Sequence, residues 1–195
     1  MSQRVFNFAG TAEIRWVVGS LVLICGCGGV PPNADTLCEA VRNSTRDEVQ
    51  RLIDRGADPN SINSNGLFPL AIAAMHGDVE LMSLLVAAGA DPNLSKDQMT
   101  ALLLAIGAGK SNAVQWLADN GANLNTTSDK GVTPLMFAVL YDQPVSAGLL
   151  LKCDADVNAR NSAGTSILVL AITGGHKSIA KKLNVGGNIV KTMLA

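Results

Sequence analysis

Aromatic residues, surplus charge and long apolar runs are all scarce in this chain. Aromatic residues make up only 4% of the 195 residues, and there is a single tyrosine. The formal charge is -1 and the basic residues are scattered, so no basic patch indicates nucleic acid as a partner. Alanine, leucine, valine and glycine are abundant instead, as is typical of thin helices that pack closely in layers.

The first 27 residues differ from the rest in their pattern. Arg4 and Arg15 precede an apolar run from Trp16 to Ile24, and small residues follow it. This run is too short to cross a bilayer, which requires about 20 residues. A basic start, a short apolar segment and small residues after it are typical of a secretory signal.

The end of this segment, Leu23-Ile24-Cys25-Gly26-Cys27, resembles the lipobox of bacterial lipoproteins. In that family a branched residue lies three positions before the lipidated cysteine and a small residue lies one before it. Ile24 and Gly26 fit those positions for Cys27. The resemblance implies a signal over residues 1–27, a lipid on Cys27, and a mature protein anchored in the bacterial envelope and facing the periplasm. An ordinary cleaved signal or a short membrane-proximal stretch is the alternative, and residues 28–34 are expected to form a tether.

Two blocks recur at fixed offsets through the remainder of the chain. The first is a Gly-Ala-Asp-Pro-Asn-like run with spacings of 33, 32 and 33 residues, beginning at Gly56, Gly89, Gly121 and Asp154. The second is a Thr-Pro-Leu-like run, at Phe68-Pro69-Leu70, Thr100-Ala101-Leu102, Thr133-Pro134-Leu135 and Ser166-Ile167-Leu168. Self-similarity at such a period indicates a solenoid.

These blocks resemble the ankyrin repeat, in which Thr-Pro-Leu-His lies near the start and Gly-Ala-Asp-x-Asn at the end. The resemblance covers essentially all of the chain after residue 35. It implies an all-α solenoid of about five helix-turn-helix repeats joined by extended loops, over residues 35–190, with a tail at 191–195. Helical spacing of the apolar residues, the helix-start pair Thr133-Pro134 and the glycines after the second helices agree with this reading. The first and fifth repeats are atypical, as expected for the caps of a solenoid.

Signals for chemistry are weak. Gly109-Lys110-Ser111 suggests a phosphate loop, but Leu104 stands where that motif requires glycine. His76 and His176 lie in different repeats, which does not favour a metal pair, and His176 matches a structural position of the family. The sequence therefore predicts no enzyme activity, no cofactor and no metal site. Cys38 and Cys153 lie three repeats apart, on the order of 30 Å, so we expect them to be small core residues without a disulfide.

Ankyrin-like stacks bind other proteins through their loop tips and the exposed side of their first helices. On this resemblance the candidate binding residues fall before the Thr-Pro-Leu-like blocks, before the mid-repeat turns, and on loops as charged side chains. They are Leu67, Met99 and Val132; Met75, His76, Leu140 and Tyr141; and Lys96, Asp129 and Arg160. Tyr141 is the strongest candidate, because aromatic anchors dominate interface energies. Alternatively, Leu67, Met99 and Val132 merely pack on neighbouring loops.

The sequence thus predicts a non-enzymatic protein-binding module held in the bacterial envelope. Exported ankyrin lipoproteins of this size resemble immunity proteins that inhibit a secreted toxin, such as a phospholipase delivered by a type VI secretion system. An envelope scaffold that stabilises its partner, and a cytosolic or secreted ankyrin effector, are the alternatives. The partner is a protein in each case, and membrane contact is expected only through the lipid anchor.

Overall fold

The computed structural model describes residues 32–185 of the chain. In this range there are ten α-helices and one minimal hairpin, in which strand β1 (Ser95–Lys96) pairs antiparallel with β2 (Met99–Thr100). The helices are α1 (Ala34–Arg42), α2 (Arg46–Asp54), α3 (Pro69–His76), α4 (Val79–Ala87), α5 (Ala101–Gly107), α6 (Ser111–Asp119), α7 (Pro134–Leu140), α8 (Pro144–Lys152), α9 (Ile167–Thr173) and α10 (Lys177–Val185). The predicted all-α solenoid of five helix pairs is confirmed.

The helices pack in two layers. The odd-numbered helices, called here the first helices, stack in the order α1, α3, α5, α7, α9, and each also packs against the second helix of its own repeat. The second helices α6, α8 and α10 stack behind them. Close packing of the first helices is possible because fully buried alanines lie along the stack, at Ala73, Ala105, Ala138 and Ala171.

The helix starts follow directly from the residue types at the Thr-Pro-Leu-like blocks. The Thr133 hydroxyl accepts a hydrogen bond from the Met136 backbone N–H, and Pro134 occupies the first turn of α7. Thr100 and Ser166 cap α5 and α9 in the same way.

In the turn between the two helices of each repeat, one residue has a left-handed backbone conformation. Gly77 has φ +77° and Gly109 has φ +68°, a backbone conformation that glycine adopts without steric cost. In the fourth repeat Asp142 stands there with φ +48°, and its carboxylate lies 3.0 Å from Nδ1 of His176 in the fifth repeat. This contact joins the fourth repeat to the fifth through the His176 side chain.

Asparagine side chains connect successive repeats. Asn93 is the example: its Oδ1 accepts from the Asn123 backbone N–H at 2.7 Å, and its Nδ2 donates to the Gly121 carbonyl at 3.0 Å. Asn60 makes the same two bonds to the next repeat, whereas Asn125 makes one, from the Asp156 N–H at 2.9 Å. We call Asn60, Asn93 and Asn125 the asparagine ladder.

The first repeat is tied to the second by its own polar contacts. The Asp35 carboxylate accepts from the backbone N–H and the hydroxyl of Ser64, at 2.9 and 2.8 Å. These two bonds, the backbone one first, lower the pKa of Asp35 from its usual 3.8. Arg46 on α2 also pairs with Asp78 and Glu80 of the second repeat.

The two cysteines of the described region are both free and differ in burial. Cys38 is buried in the core, and this desolvation raises the pKa of its thiol to about 11. Cys153 is only half-buried at the end of α8, so the expectation that both are core residues is wrong for Cys153. Its place directly after the helix explains the exposure.

No helix between residues 32 and 185 has the length and apolar character needed to cross a membrane. The expected signal over residues 1–27, the lipidation at Cys27, most of the tether and the tail at 191–195 lie outside the described residues.

Candidate protein-binding surface

The structure separates the candidate binding residues into two rows at opposite ends of the first helices. The loop row precedes the helix starts and comprises Leu67, Lys96, Met99, Asp129, Val132 and Arg160. The turn row lies at the helix ends and comprises Met75, His76, Leu140 and Tyr141, with the aligned residues Gly107, Ala108, Thr173 and Gly174. A first helix of seven or eight residues spans about 10–12 Å, so the two rows are distinct surfaces.

The apolar members of the loop row are largely engaged with the fold itself. Leu67 and Val132 are half-buried and pack against the core. The Leu67 carbonyl accepts from the Asn63 backbone N–H at 2.8 Å, and the Val132 carbonyl accepts from the Ser128 N–H at 3.1 Å. Met99 is half-buried within the β1–β2 hairpin. These side chains hold the loops in place and offer little free surface.

The charged members of the loop row are exposed and are held locally. Lys96 lies 3.3 Å from the carboxylate of its neighbour Asp97. The Asp129 backbone N–H donates to Oε1 of Gln98 at 2.7 Å, which joins two successive loops. Arg160 donates from Nη1 to the Gly164 carbonyl at 2.9 Å. An exposed ion pair such as Lys96–Asp97 contributes little free energy, and exposed charged side chains can orient a partner at a rim.

The turn row carries the exposed apolar surface. Leu140 is 51% exposed and Tyr141 is 54% exposed. The Tyr141 ring stacks on Phe137 with ring centroids 4.4 Å apart and an interplanar angle of 29°. This contact restricts the tyrosine ring, so that less side-chain entropy would be lost when a partner covers it.

Met75 and His76 end α3, two helices away from Leu140 and Tyr141 in the stack. With first helices about 8–10 Å apart, the two pairs lie roughly 16–20 Å from each other. Met75 is half-buried and His76 is exposed. The turn row is therefore strongly apolar at α7 and more polar at α3.

Two residues of this surface, Phe137 and Ile172, were not predicted from the sequence. Phe137, which supports Tyr141, could have been found from its spacing of four residues on a helix. Ile172 is 63% exposed, although Ile106 and Val139 are buried at the same position of their repeats. In the range that the structure describes, no further first helix packs on α9, and this leaves Ile172 uncovered.

Among residues 32–185 no three His, Cys, Asp or Glu side chains are placed to hold a metal ion together. His76 stands apart from His176, whose imidazole faces Asp142. The arrangement offers apolar contact area and rim charges, which are the components of a binding surface.

Comparison with known proteins identifies the repeats. A family model described as ankyrin repeats (3 copies) matches residues 37–128, and a second, described as ankyrin repeat, matches residues 130–162. The chain is 32% identical over 165 residues to the mitochondrial disaggregase of Bos taurus, which covers 82% of this chain and 24% of that protein. It is 35% identical over 142 residues to SH3 and multiple ankyrin repeat domains protein 1 of Mus musculus, which covers 71% of this chain and 7% of that protein.

A third relative is the nuclear factor NF-kappa-B p105 subunit of Gallus gallus, 30% identical over 154 residues, which covers 76% of this chain and 16% of that protein. The chain thus spans about a quarter or less of the length of these three relatives. The ankyrin repeat is a non-catalytic module that binds other proteins.

Proposed function

Because this chain belongs to the ankyrin-repeat family, we propose that it is a non-enzymatic binding module whose protein partner docks on the turn row around Leu140 and Tyr141. The observation that carries the proposal is the exposed Tyr141 ring, which stacks on the half-buried Phe137 ring. Tyr141 is the one tyrosine of a chain with few other aromatic residues, and 54% of its surface stays exposed. Exposed aromatic side chains beside apolar neighbours are the residues that dominate binding energies.

The test compares the wild-type chain with the Tyr141→Ala variant in binding to proteins from the source cell. Loss of an interface tyrosine of this kind weakens binding by about 2 kcal/mol, or about 30-fold in Kd. Ile62→Ala is the matched control, since Ile62 is also an exposed apolar side chain, at 40%, but lies in the loop after α2. Any partner retained equally by both variants would place the binding surface elsewhere, provided that circular dichroism shows unchanged helix content.

We further propose that the chain is anchored in the bacterial envelope through a lipid on Cys27, with the repeats facing the periplasm. The support is the position of Ile24 and Gly26 before Cys27, after the short apolar run. Growth of the source cell with an alkyne-labelled fatty acid should label the wild-type protein and leave Cys27→Ser unlabelled. Recovery of a protein that retains Met1 would contradict export and favour a cytosolic effector.

At this location the proposed role is that of an immunity protein, which binds and inhibits a secreted toxin such as a type VI phospholipase effector. The support is the combination of an export-like segment with a binding module that carries no catalytic motif. Purified chain added to the candidate phospholipase should abolish lipid hydrolysis at a 1:1 ratio. Binding that leaves the partner fully active would favour the alternative role, a scaffold that stabilises its partner.

A further inference from the structure

The outer side of the fifth repeat is less buried than the same side of every earlier repeat. Val169 and Ile172 on α9 and Ala180 on α10 occupy positions that are buried in the four repeats before it. In the fifth repeat Val169 and Ala180 are half-buried and Ile172 is exposed. The first helices stack on one another, so these are the positions that a following helix covers. We call Val169, Ile172 and Ala180 the end face.

The two ends of the stack differ in chemistry. At the first repeat every exposed residue of α1 and α2 is polar or charged, for example Thr36 and Glu39. A polar outer surface is what the terminal repeat of a solenoid needs in water. The end face of the fifth repeat consists instead of three apolar side chains, which are unfavourable in contact with water. We therefore expect the end face to be covered.

The chain continues past α10 with apolar residues at helical spacing. Residues 186–195, called here the C-terminal segment, lie outside the described residues, and their sequence is Gly-Gly-Asn-Ile-Val-Lys-Thr-Met-Leu-Ala. Ile189 and Met193 are four positions apart, and so are Val190 and Leu194. Residues at this spacing share one face of a helix. One helical turn of the C-terminal segment would therefore present four apolar side chains together.

The same residues interrupt the loop pattern of the repeats. In each of the four earlier loops a backbone N–H donates to the side chain two residues before it, as Asn158 does to Asp156 at 2.8 Å. One period of 33 residues later, Ile189 stands in the place of Asp156 and Lys191 in the place of Asn158. Isoleucine cannot accept that hydrogen bond. The C-terminal segment thus lacks the side chain that forms this turn and carries apolar surface in its place.

The C-terminal segment is long enough to reach the end face. Ala180 lies five residues before Val185, the last residue of α10, and so about 7.5 Å back along the helix axis. Three extended residues, 186–188, span about 10 Å, which is enough to bring Ile189 level with Ala180. One helical turn further, about 6 Å on, Met193 reaches the level of Ile172.

We propose that the C-terminal segment folds back over the end face, with Ile189 and Met193 packed on Val169 and Ile172, and covers the fifth repeat as a following first helix covers each earlier one. The inference goes beyond the proposed function and does not depend on it. Ile172 then belongs to the closed end of the stack, and the free apolar surface of the turn row is centred on α7.

A double-mutant cycle tests the contact by thermal unfolding of the full chain. Ile172→Ser should lower Tm by about 4 °C or more in the wild-type background, because a covered isoleucine loses its apolar burial. In the Ile189→Ser/Met193→Ser background the same change should lower Tm by less than about 2 °C, because the cover is already lost. Lys191→Ser/Thr192→Ser is the matched control at polar positions of the segment, and the effect of Ile172→Ser should persist in it. Equal effects in the wild-type and Ile189→Ser/Met193→Ser backgrounds would overturn the inference.

Thiol accessibility gives a second readout, taken on the folded protein. The thiol of Ile172→Cys should react with iodoacetamide at least about tenfold faster when Ile189→Ser/Met193→Ser is added, because the reagent then reaches it. Ile62→Cys is the control, since Ile62 is an exposed apolar side chain in the loop after α2, and its rate should not change. Peptide mass mapping assigns the label to each position. Equal rates at position 172 with and without the two serines would contradict the cover.

A second copy of the chain is the competing occupant of the end face. Two end faces in contact would protect Ile172 more strongly as the protein concentration rises, and they would do so without the C-terminal segment. Sedimentation of the wild-type chain and alkylation of Ile172→Cys, both over about a hundredfold range of concentration, distinguish the two occupants. A constant mass and a constant rate are expected. A dimer in which alkylation slows with concentration would show that the C-terminal segment is not the cover.

Discussion

Replacing asparagines of the ladder by alanine should destabilise the solenoid in proportion to the hydrogen bonds that each side chain makes to the next repeat. Asn93 makes two such bonds, at 2.7 and 3.0 Å, and Asn60 makes two. Asn125 makes one. Each bond is worth about 1 kcal/mol net. The free energy of unfolding should therefore fall by about 2 kcal/mol for Asn93→Ala and by about 1 kcal/mol for Asn125→Ala.

The local turn is preserved in these variants, which makes the comparison clean. The backbone N–H of Asn93 donates to the Asp91 carboxylate at 2.8 Å, and that of Asn125 donates to the Asn123 side chain at 2.9 Å. Alanine retains these N–H groups. The measured difference therefore reports only the bonds between repeats.

The assay is urea unfolding followed by far-ultraviolet circular dichroism, with thermal midpoints as a second readout. For a domain of this size 1 kcal/mol corresponds to about 2–4 °C, so Asn93→Ala should lower Tm about twice as much as Asn125→Ala. Asn65→Ala, at an exposed loop position, is the control and should change stability by less than about 0.5 kcal/mol. Equal losses for Asn93 and Asn125, or losses no larger than that of the control, would refute the reasoning. A changed urea m-value would show that the repeats unfold separately.

Three further predictions concern burial and titration. Because the pKa of Asp35 is lowered, its hydrogen bonds stabilise the fold above pH 3.8, and this contribution is lost as the pH falls through the lowered pKa. The urea midpoints of wild type and Asp35→Asn should therefore differ at pH 7 and converge in strong acid. A difference that stays constant with pH would argue against the linkage. When the native protein is treated with iodoacetamide at pH 8, Cys153 should be alkylated, whereas Cys38 should react only after urea unfolds the protein, because burial raises the pKa of Cys38 to about 11. Peptide mass mapping distinguishes the two sites. Modification of Cys38 in the native protein would contradict its burial. Leu150→Ala, at a fully buried position, should lower the free energy of unfolding by about 2–5 kcal/mol, whereas Leu140→Ala should lower it by less than about 1 kcal/mol. Chemical unfolding measures both values. Similar losses for the two variants would mean that Leu140 packs inside the fold.

The solenoid could be predicted from the sequence because its determinants are local and recur. Pro134 and Thr133 mark a helix start, and a left-handed residue such as Gly77 marks the turn that follows a first helix. Because the same signals recur in each repeat, Asp142 can be identified as a turn residue from its position in the fourth repeat alone. The number of repeats follows from the spacing.

The division of the candidate surface into two rows could not be predicted in the same way. Leu67 and Val132 have the residue type of a binding contact, but tertiary packing determines how much of each side chain is buried against the core. The support of Tyr141 by Phe137 is a local contact that helical spacing could have indicated. The exposure of Ile172 depends on what stacks beyond α9, which its own repeat does not encode.

The asparagine ladder has a consequence for how such a chain can change over evolutionary time. Asn60 and Asn93 reach forward to backbone groups of the following repeat, and every residue except proline offers the same N–H and carbonyl. One repeat therefore needs no matching side chain in its neighbour for this connection. A duplicated block of about 33 residues brings its own joint, and the residues of the turn row are free to diverge without disturbing it.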